Sequence, residues 1–238
     1  TEPQEKADAI ISVGIATTRE EKKEIYRFRY HIYVEEMSRN LLSIDHENKL
    51  IYDDLDEWSI LIFAKLEGSL IGTMRVNIGT LKDFPPDLVK IFALNTFERY
   101  QDGKNPGYFA FSSKLMVAPP YRNTQTSYLL MAKGYHFHCE HKVQFSFGGC
   151  NFHLLRFYEQ FGGRRFGKNF VYPGYGLMTP VVLLEEDIEH MRIVHSPYYR
   201  IARKSRTHNS QVANWFFTQF PEATRALNSQ LTTMDELW

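Results

Sequence analysis

The stretch VQFSFGGCNFHLLRFYEQFGG, residues 143–163, predicts a strand, a turn and a helix in succession. Apolar residues alternate with polar ones over Val143–Phe147, which is the period of a β-strand. Gly148 and Gly149 break the alternation, so we expect the strand to end there. The rest of the chain is interpreted outward from this unit.

The second half of the stretch predicts a helix that begins at Asn151, with the asparagine side chain as its cap. One face should be buried because apolar residues recur at helical spacing, at Leu154, Phe157 and Phe161. Gly162 or Gly163 would end the helix in a left-handed conformation. Tyr158 lies seven positions after Asn151 and therefore on the same face, where its hydroxyl would point toward the strand ends and a bound ligand. The alternative is that Tyr158 is an interfacial core residue.

Composition excludes several classes of function. The 28 Lys and Arg residues equal the 28 Asp and Glu residues in number, so no net positive charge favours nucleic acid as a partner. The two cysteines are too few for a disulfide scaffold and suit a reducing, cytoplasmic setting. The sequence shows neither an apolar run of about 20 residues, as a transmembrane segment requires, nor a signal-peptide pattern at its start.

The remaining sequence alternates predicted strands and helices. Before the opening unit we predict a strand over 9–16, a helix opened by a Thr18–Glu21 capping box, a loop over 38–57, a hairpin of 58–66 and 70–78, a helix between loops over 80–107, a strand over 108–117 and a helix over 124–142. After it come a hairpin of 164–171 and 176–184 and a polar, helical region over 185–238. This order predicts a mixed α/β sheet flanked by helices on both faces, with the strands at 108–117 and 143–149 as neighbours near a ligand.

The helix sequence NFHLLRFYEQFGG, in this element order, resembles the GCN5-related N-acetyltransferase superfamily, whose corresponding helix often reads N-x-x-A/L-x-x-x-Y-x-x-x-G-F. Gly163 stands where phenylalanine is usual. The resemblance covers residues 9–184 and implies an α/β fold with a mostly antiparallel sheet, followed by a helical extension, 185–238, packed on that acyltransferase domain. It also implies that Tyr158 gives a proton to the departing thiolate of an acyl thioester, a step that a positioned phenol can perform.

Members that use coenzyme A carry Q/R-x-x-G-x-G/A, in which glycines let backbone N–H groups approach the pyrophosphate. Here Gln125 and Ser127 occupy the small-residue positions, which favours an acyl carrier protein thioester, with a single phosphate, as the donor. The expected donor-binding residues are Arg122, Asn123, Thr124, Gln125, Thr126 and Ser127. The alternative for this segment is an ordinary capped helix with an exposed arginine.

Four further segments resemble the acyl-homoserine-lactone synthases and the long-chain N-acyl amino acid synthases: YRFRYHIYVEEM, YDDLDEW, GTMRVN and SSKLMVAPPYR. The lactone synthases have a glutamate near Phe111 that this sequence lacks, so the amino acid synthases are the more similar branch. The resemblance implies acceptor binding by Arg29, Tyr33, Asp54, Arg75, Ser113 and Lys114. In this reading Arg75 would bind the acceptor's carboxylate and Asp54 its ammonium. Both could equally be surface ion pairs.

The predicted reaction is direct attack of an amine on a thioester, without a tightly bound cofactor. Asn151 and Tyr158 would belong to the catalytic site, and backbone N–H groups at Leu115, Met116 and Val117 would bind the oxyanion. An acyl-enzyme on Cys150, beside His153, is a weaker alternative. No metal site is expected, because among the histidines of the 124–142 helix only His138 and His141 share a face, which favours a solvated surface.

Other functions remain open at this stage. They are an acyl-coenzyme A-dependent transferase acting on another amine or on a protein, an acyl-homoserine-lactone synthase, and a catalytically silent acyl-binding module. The basic residues of 164–168 and 200–206 are either docking groups for an acidic carrier protein or solvated faces.

Overall fold

The computed structural model describes residues 10–41, 44–100 and 107–223. Predicted features that fall at residue 9, at 101–106 and at 224–238 lie outside the described residues. The chain forms two compact units, one from residues 1–77 and 112–134 and the other from residues 78–111 and 135–238.

The first unit contains a helix and most of a four-strand ladder. Its elements are β1 Ser12–Ile15, α1 Arg19–Tyr30, a π-helical turn His31–Glu36, β2 Ile44–Asp45, β3 Leu50–Ile51, a 3-10 turn Asp54–Asp56, β4 Ile60–Leu66 and most of β5 Ser69–Gly79. Besides β5, two elements begin in one unit and end in the other, namely β6 Phe109–Val117 and α4 Thr126–Glu140.

The second unit contains residues 143–163, the stretch for which a strand, a turn and a helix were predicted. Its elements are α2 Pro86–Ile91, α3 Leu94–Glu98, β7 Phe145–Cys150, a 3-10 turn Phe152–Leu154, α5 Leu155–Gln160, β8 Arg164–Arg165, β9 Phe170–Tyr172, β10 Gly176–Leu184, α6 Ile188–Ile193, α7 Tyr199–Ser205 and α8 Ser210–Gln219.

Eight strands form one sheet in the order β1-β4-β5-β6-β7-β10-β8, with β9 also paired to β10. The pairs β1–β4, β4–β5, β7–β10, β10–β8 and β10–β9 are antiparallel. Strands β6 and β7 pair in parallel, with Phe109 opposite Phe145 and Phe111 opposite Phe147. The predicted mixed and mostly antiparallel α/β sheet is therefore confirmed, as is the adjacency of these two strands.

The helix predicted after Thr18 begins as expected. The Thr18 hydroxyl accepts the N–H of Glu21 at 3.2 Å, and the Glu21 carboxylate accepts the N–H of Thr18 at 2.9 Å, so both halves of the capping box form. From His31 the helix widens into a π-turn, in which the N–H of Met37 reaches the carbonyl of Ile32. Such widened turns are frequent at functional sites.

The opening stretch differs from the prediction in two places. Strand β7 continues through Gly148 and Gly149 to Cys150 because each of these residues pairs with β10, opposite Val181, Pro180 and Thr179. Asn151 makes no side-chain cap. Its amide instead donates to the carbonyls of Tyr175 and Leu177, both at 3.1 Å, and so ties this turn to the β9–β10 hairpin.

The helix itself starts with a 3-10 turn, which shifts its buried face. Leu154 is 40 % exposed and Leu155 is buried in its place, together with Phe161. The seven-residue spacing from Asn151 to Tyr158 therefore does not place the two on one α-helical face, since a 3-10 turn has three residues per turn. The helix ends at Gly162, whose φ of 99° is the left-handed conformation predicted for one of the two glycines.

Phe97 is fully buried in the aromatic core of the second unit. Its ring contacts those of Phe145, Phe147, Phe166, Trp215 and Phe220 at centroid distances of 4.9 to 5.5 Å. Trp215 and Phe220 of the C-terminal region thus pack against helix α3, and Trp215 also contacts Phe145 of strand β7.

A buried ion-pair network fixes helix α7 within the same unit. His138 Nδ1 lies 2.9 Å from Glu185 Oε1, and Nη2 of Arg206 lies 3.0 Å from Glu185 Oε2. Arg206 also donates to the carbonyl of Val143 at 2.7 Å. His138 is 3 % exposed, so the prediction of a solvated histidine face is wrong for this residue. The cause is Glu185, 47 residues away in sequence, which offers a buried counter-charge.

Candidate active site

Five charged side chains meet inside the first unit and are called here the charged cluster: Arg29, Asp53, Asp56, Arg75 and Lys114. They come from α1, from the 3-10 turn and the residue before it, from β5 and from β6. Three of the five, Arg29, Arg75 and Lys114, are among the acceptor-binding residues predicted from the sequence.

Arg29 and Arg75 organise the two carboxylates. Arg29 is fully buried, and its Nη1 donates to both oxygens of Asp56 at 2.9 Å. Arg75 contacts Asp53 and lies 3.1 Å from Asp56, while its Nε donates to the hydroxyl of Ser113 at 3.0 Å. The carboxylates are thereby held in one orientation.

Asp53 and Asp56 also cap the turn that carries them. Asp53 accepts the N–H of Leu55 at 3.1 Å, and Asp56 accepts the N–H of Asp53 at 2.9 Å. Leu55, which lies between them in the sequence, is buried, whereas Asp54 is exposed. Asp54, predicted from the sequence to bind the acceptor's ammonium, therefore lies outside the charged cluster, and Asp53 belongs to the cluster instead. An acidic residue three positions after another, around an apolar one, was the sequence signal for this capped turn.

Lys114 is the third cation. Its Nζ lies 3.1 Å from Asp53 Oδ2 and 6.0 Å from the centre of the Tyr33 ring, and its side chain is 7 % exposed. The φ angle of Lys114 is 52°, a left-handed conformation within an otherwise extended strand. A non-glycine residue seldom adopts it, and such outliers concentrate at functional sites.

The local field shifts several pKa values. Burial, with Arg75 adding to it, lowers the pKa of Lys114 to about 8 although Asp53 opposes the shift. Burial acts to raise the pKa of Asp53, but Lys114 and Arg75 outweigh it and hold that pKa below its ordinary value. Burial acts to lower the pKa of Arg75, yet Asp56 and Asp53 raise it overall. The cluster thus holds arginine–aspartate ion pairs and one lysine whose pKa is lowered to about 8.

The predicted donor-binding segment begins helix α4 in the same unit. Thr124 donates its hydroxyl to the carbonyl of Tyr121 at 2.6 Å and accepts the N–H of Thr126 at 3.3 Å. Arg122 pairs with Glu36 at 2.7 Å and donates to the carbonyl of Val117 at 3.0 Å. Its guanidinium, 42 % exposed, is therefore already held by a carboxylate.

The other residues of this segment are placed as follows. Asn123 has a left-handed φ of 61°, Gln125 is exposed, and Ser127 is half-buried in the first turn of α4. Leu115, Met116 and Val117 are the last residues of β6, directly after the left-handed Lys114.

Tyr158 and Cys150 lie in the second unit. Tyr158 is half-buried on α5 and packs against the small core formed by Cys150, Leu155 and Val181. Cys150 is 3 % exposed, and burial, with a contribution from Glu159, raises the pKa of its thiol to about 11. A thiol in this state is protonated at neutral pH and is a weak nucleophile.

The sequence matches the family model of N-acyl amino acid synthase FeeM over residues 24–187, well over half of the chain. The chain belongs to the FeeM family of N-acyl amino acid synthases. It is thus an N-acyltransferase, of the kind that joins acyl groups to amines. A search of curated protein sequences gave no significant match.

Solved structures share the fold at low sequence identity. FeeM, an N-acyl amino acid synthase from uncultured soil microbes, is 12 % identical with a TM-score of 0.60, over 81 % of this chain and 98 % of that one. BjaI, a CoA-dependent acyl-homoserine lactone synthase solved with SAM and isopentyl-CoA, is 16 % identical with a TM-score of 0.57, over 79 % and 90 %. Escherichia coli ElaA is 14 % identical with a TM-score of 0.51, over 73 % and 99 %. The resemblance drawn from the sequence motifs is confirmed.

Within the described residues, the helices are all too short or too polar to cross a membrane.

Proposed function

We propose that the protein transfers a long-chain fatty acyl group from an acyl carrier protein thioester to the α-amine of an amino acid. The observation that carries the proposal is the charged cluster, in which three cations face two carboxylates within a nearly dry environment. Among the described residues, the Nε and Nη2 atoms of Arg29 also have no hydrogen-bond acceptor. Guanidinium donors without an acceptor favour a substrate that carries a carboxylate.

The cluster also supports a place for the acceptor's ammonium. The Asp53 side chain is 29 % exposed, whereas those of Arg75 and Asp56 are 3 % and 2 % exposed. We therefore assign the ammonium to Asp53. Arg75, predicted from the sequence to bind the carboxylate, is assigned to orienting Asp53 and to supplying positive potential, because its Nε and Nη1 atoms already contact Ser113 and Asp53.

The reaction in this proposal is direct attack of the neutral amine on the thioester carbonyl. A C–N bond forms, the C–S bond breaks, and the thiolate takes a proton from Tyr158. Backbone N–H groups at Leu115, Met116 and Val117 are assigned to the oxyanion of the tetrahedral intermediate. Asn151 keeps the turn before α5 in place through its two hydrogen bonds to the β9–β10 hairpin.

The donor assignment rests on residues 122–127. Gln125 and Ser127 add side chains where backbone N–H groups would have to approach a pyrophosphate closely, whereas one phosphate needs fewer contacts. The exposed basic residues Arg200, Arg203 and Lys204 of α7 supply positive charge for an acidic carrier protein. Arg206 and Arg164 are excluded from that role because they are buried against Glu185 and Asp187.

The acceptor is tested with matched pairs of amines. A C16 acyl carrier protein thioester is offered with each of the twenty protein amino acids, and then with 3-methylbutylamine, which is leucine without its carboxylate. We expect an amide product from at least one amino acid and a value of kcat/KM about 10- to 100-fold lower for the amine than for leucine, because a charged hydrogen bond is lost. Equal rates for leucine and 3-methylbutylamine would contradict carboxylate recognition.

The donor is tested by comparing the carrier-protein thioester with the C16 acyl-coenzyme A thioester under identical conditions. Preference for coenzyme A would point to a coenzyme A-dependent transferase. A homoserine lactone product from S-adenosylmethionine would point to a lactone synthase, and no turnover of either thioester would point to an acyl-binding module. Mass spectrometry of lipids that co-purify with the protein gives an independent identification of the product.

A further inference from the structure

Lys114 is the one member of the charged cluster whose charge is not fixed near neutral pH, since its pKa is about 8. The groups that surround it come from every neighbouring element of the cluster. They are Arg29 on α1, Tyr33 on the π-turn, Asp53 and Asp56 at the 3-10 turn, and Arg75 on β5.

The charges of the cluster balance only when Lys114 is neutral. Arg29 and Arg75 then face Asp56 and Asp53, two cations against two anions. With Lys114 protonated, the cluster carries one excess positive charge in a region from which water is nearly excluded. A second ammonium would be repelled from Asp53 in that state. The neutral state of Lys114 is therefore the one that admits a protonated amine.

The position of Lys114 is enforced by the backbone. A left-handed residue in the middle of an extended strand turns the local chain, and the Lys114 Nζ atom lies 3.1 Å from Asp53, which has the most exposed side chain of the cluster. The strain of this conformation is compensated by the ion pair, so that the lysine is held at the place where an acceptor's ammonium would arrive.

We propose that Lys114 is the general base of the reaction and takes a proton from the acceptor's ammonium group while Asp53 binds that group. This inference rests on the proposed function, because it requires an amino acid acceptor. It adds a step that the reaction needs, since an ammonium has no lone pair with which to attack a thioester.

The proton balance is complete without an added reagent. The neutral amine of Lys114 takes one proton from the acceptor's ammonium, which leaves a neutral α-amine and a protonated lysine paired with Asp53. The α-amine attacks the carbonyl carbon, the thiolate leaves and takes a proton from Tyr158, the second amine proton is released to solvent, and Tyr158 is reprotonated from solvent. Lys114 then returns its proton to solvent after product release. The transfer is uphill, because the ammonium of a free amino acid lies beside its own carboxylate and has a higher pKa than Lys114, and attack of the α-amine on the thioester draws the transfer forward.

The first test is the pH dependence of kcat and KM for the best amino acid acceptor, between pH 6 and pH 10. Lys114→Arg keeps a cation beside Asp53 but cannot lose its proton, and Lys114→Met removes the charge. We expect kcat to fall about 10²-fold or more at pH 8 in both variants, and KM to rise in Lys114→Arg, because its fixed charge repels the acceptor's ammonium from Asp53. Part of the activity should return at high pH, where the acceptor is neutral in solution. Lys49→Arg, at an exposed ion pair with Glu35, is the matched control and should leave the profile unchanged.

The second test measures protons by calorimetry and needs no turnover. The best acceptor and its deaminated carboxylic acid are titrated into the protein at pH 8.5 in phosphate and in Tris, which differ in ionisation enthalpy. The deaminated acid should draw a proton from the buffer onto Lys114, whereas the amino acid brings its own. Lys114→Arg should show no uptake with either ligand.

The outcomes separate the two proposals. A wild type that acylates no amino acid contradicts the proposed function and this role of Lys114 together. A wild type that acylates amino acids, with Lys114→Arg equal to it in kcat, pH profile and proton uptake, contradicts only the role of Lys114 and leaves it as an ion-pair residue. Far-ultraviolet circular dichroism and the thermal midpoint show whether Lys114→Met is folded, and Lys114→Arg carries the test if it is not.

Discussion

At the scale of single residues, the aspartate that joins the charged cluster is Asp53 and not its neighbour Asp54, to which the prediction assigned the acceptor's ammonium. Asp54 is exposed, while Asp53 contacts Arg75 and Lys114. The two carboxylates of DD are the same residue type, and only the three-residue spacing from Asp53 to Asp56 distinguishes Asp53 from Asp54. The turn decides between them, since Asp53 precedes the 3-10 turn and Asp56 closes it.

The substitution Asp53→Asn tests this assignment. Asparagine keeps the capping oxygen but removes the negative charge, so we expect KM for the amino acid acceptor to rise about 10- to 100-fold. The measurement is steady-state kinetics with the acceptor varied at saturating donor. Asp54→Asn is the matched control and should change KM less than twofold. The reverse result would return the ammonium site to Asp54.

The effects of substitutions at Tyr158 and Cys150 on kcat show which of the two side chains takes part in the reaction. Tyr158→Phe removes the proton donor with little change in shape, and we expect kcat to fall about 10²- to 10⁴-fold. Cys150→Ala should keep kcat within a factor of about three, since the buried thiol, with its raised pKa, takes no part. Loss of turnover in Cys150→Ala, with the fold intact, would support an acyl-enzyme instead.

At the scale of elements, the charged cluster connects helix α1, the 3-10 turn and strands β5 and β6 within the first unit. Arg29, on α1, is the most deeply buried side chain of the cluster, and it donates hydrogen bonds to both carboxylate oxygens of Asp56. The π-turn that follows α1 carries Tyr33, whose ring faces Lys114 and Arg39. Helix α1 is therefore both a packing element and the support of the acidic turn.

The substitution Arg29→Met tests this support. It leaves Asp56 with its longer contact to Arg75 and the backbone N–H of Asp53, and removal of one partner from a buried ion pair costs about 3 kcal/mol or more. We expect the midpoint of urea unfolding to fall accordingly. Arg192→Met, which breaks an exposed pair with Glu189, is the matched control and should leave the midpoint unchanged. Equal effects would mean that the cluster contributes no more to stability than a surface pair.

At the scale of the whole molecule, stability should depend on pH through groups that are not members of the charged cluster. Burial, with Arg164 adding to it and Asp187 opposing it, lowers the pKa of His190 to about 4. The unfolded chain, with an ordinary histidine pKa near 6.5, binds the proton first as pH falls. The folded state therefore loses stability between about pH 6.5 and pH 4.

The loss expected from His190 is about 3 kcal/mol, from a shift of about 2.5 pKa units. Urea unfolding at a series of pH values measures it. His190→Gln cannot titrate, and we expect its stability to vary less over that range. If wild type and His190→Gln change in parallel, the acid sensitivity arises elsewhere, and Glu185 is the next candidate. Its pKa, which burial would raise, is held below its ordinary value by Arg206 and His138, so its contribution is lost only at lower pH.

Much of the fold was predictable because it depends on signals between residues near in sequence. The capping box at Thr18 and Glu21, the hairpin of β4 and β5 and the helix end at Gly162 all formed as predicted. Predictions failed where a distant partner intervened. Gly148 and Gly149 belong to a strand because β10 pairs with them. Asn151 does not form the predicted cap, because its side chain binds the β9–β10 hairpin.

The sequence by itself determined the family, the order of elements and the residue types available for chemistry, since motifs and periodicity are local properties. Only the tertiary structure decided which carboxylate faces Lys114, how deeply Arg29 is buried and that the pKa of Lys114 lies near 8. The physical reason is that desolvation and ion pairing depend on distances in space. Asp53 meets Arg75 and Lys114 across 22 and 61 positions of the chain, and no local pattern encodes such a meeting.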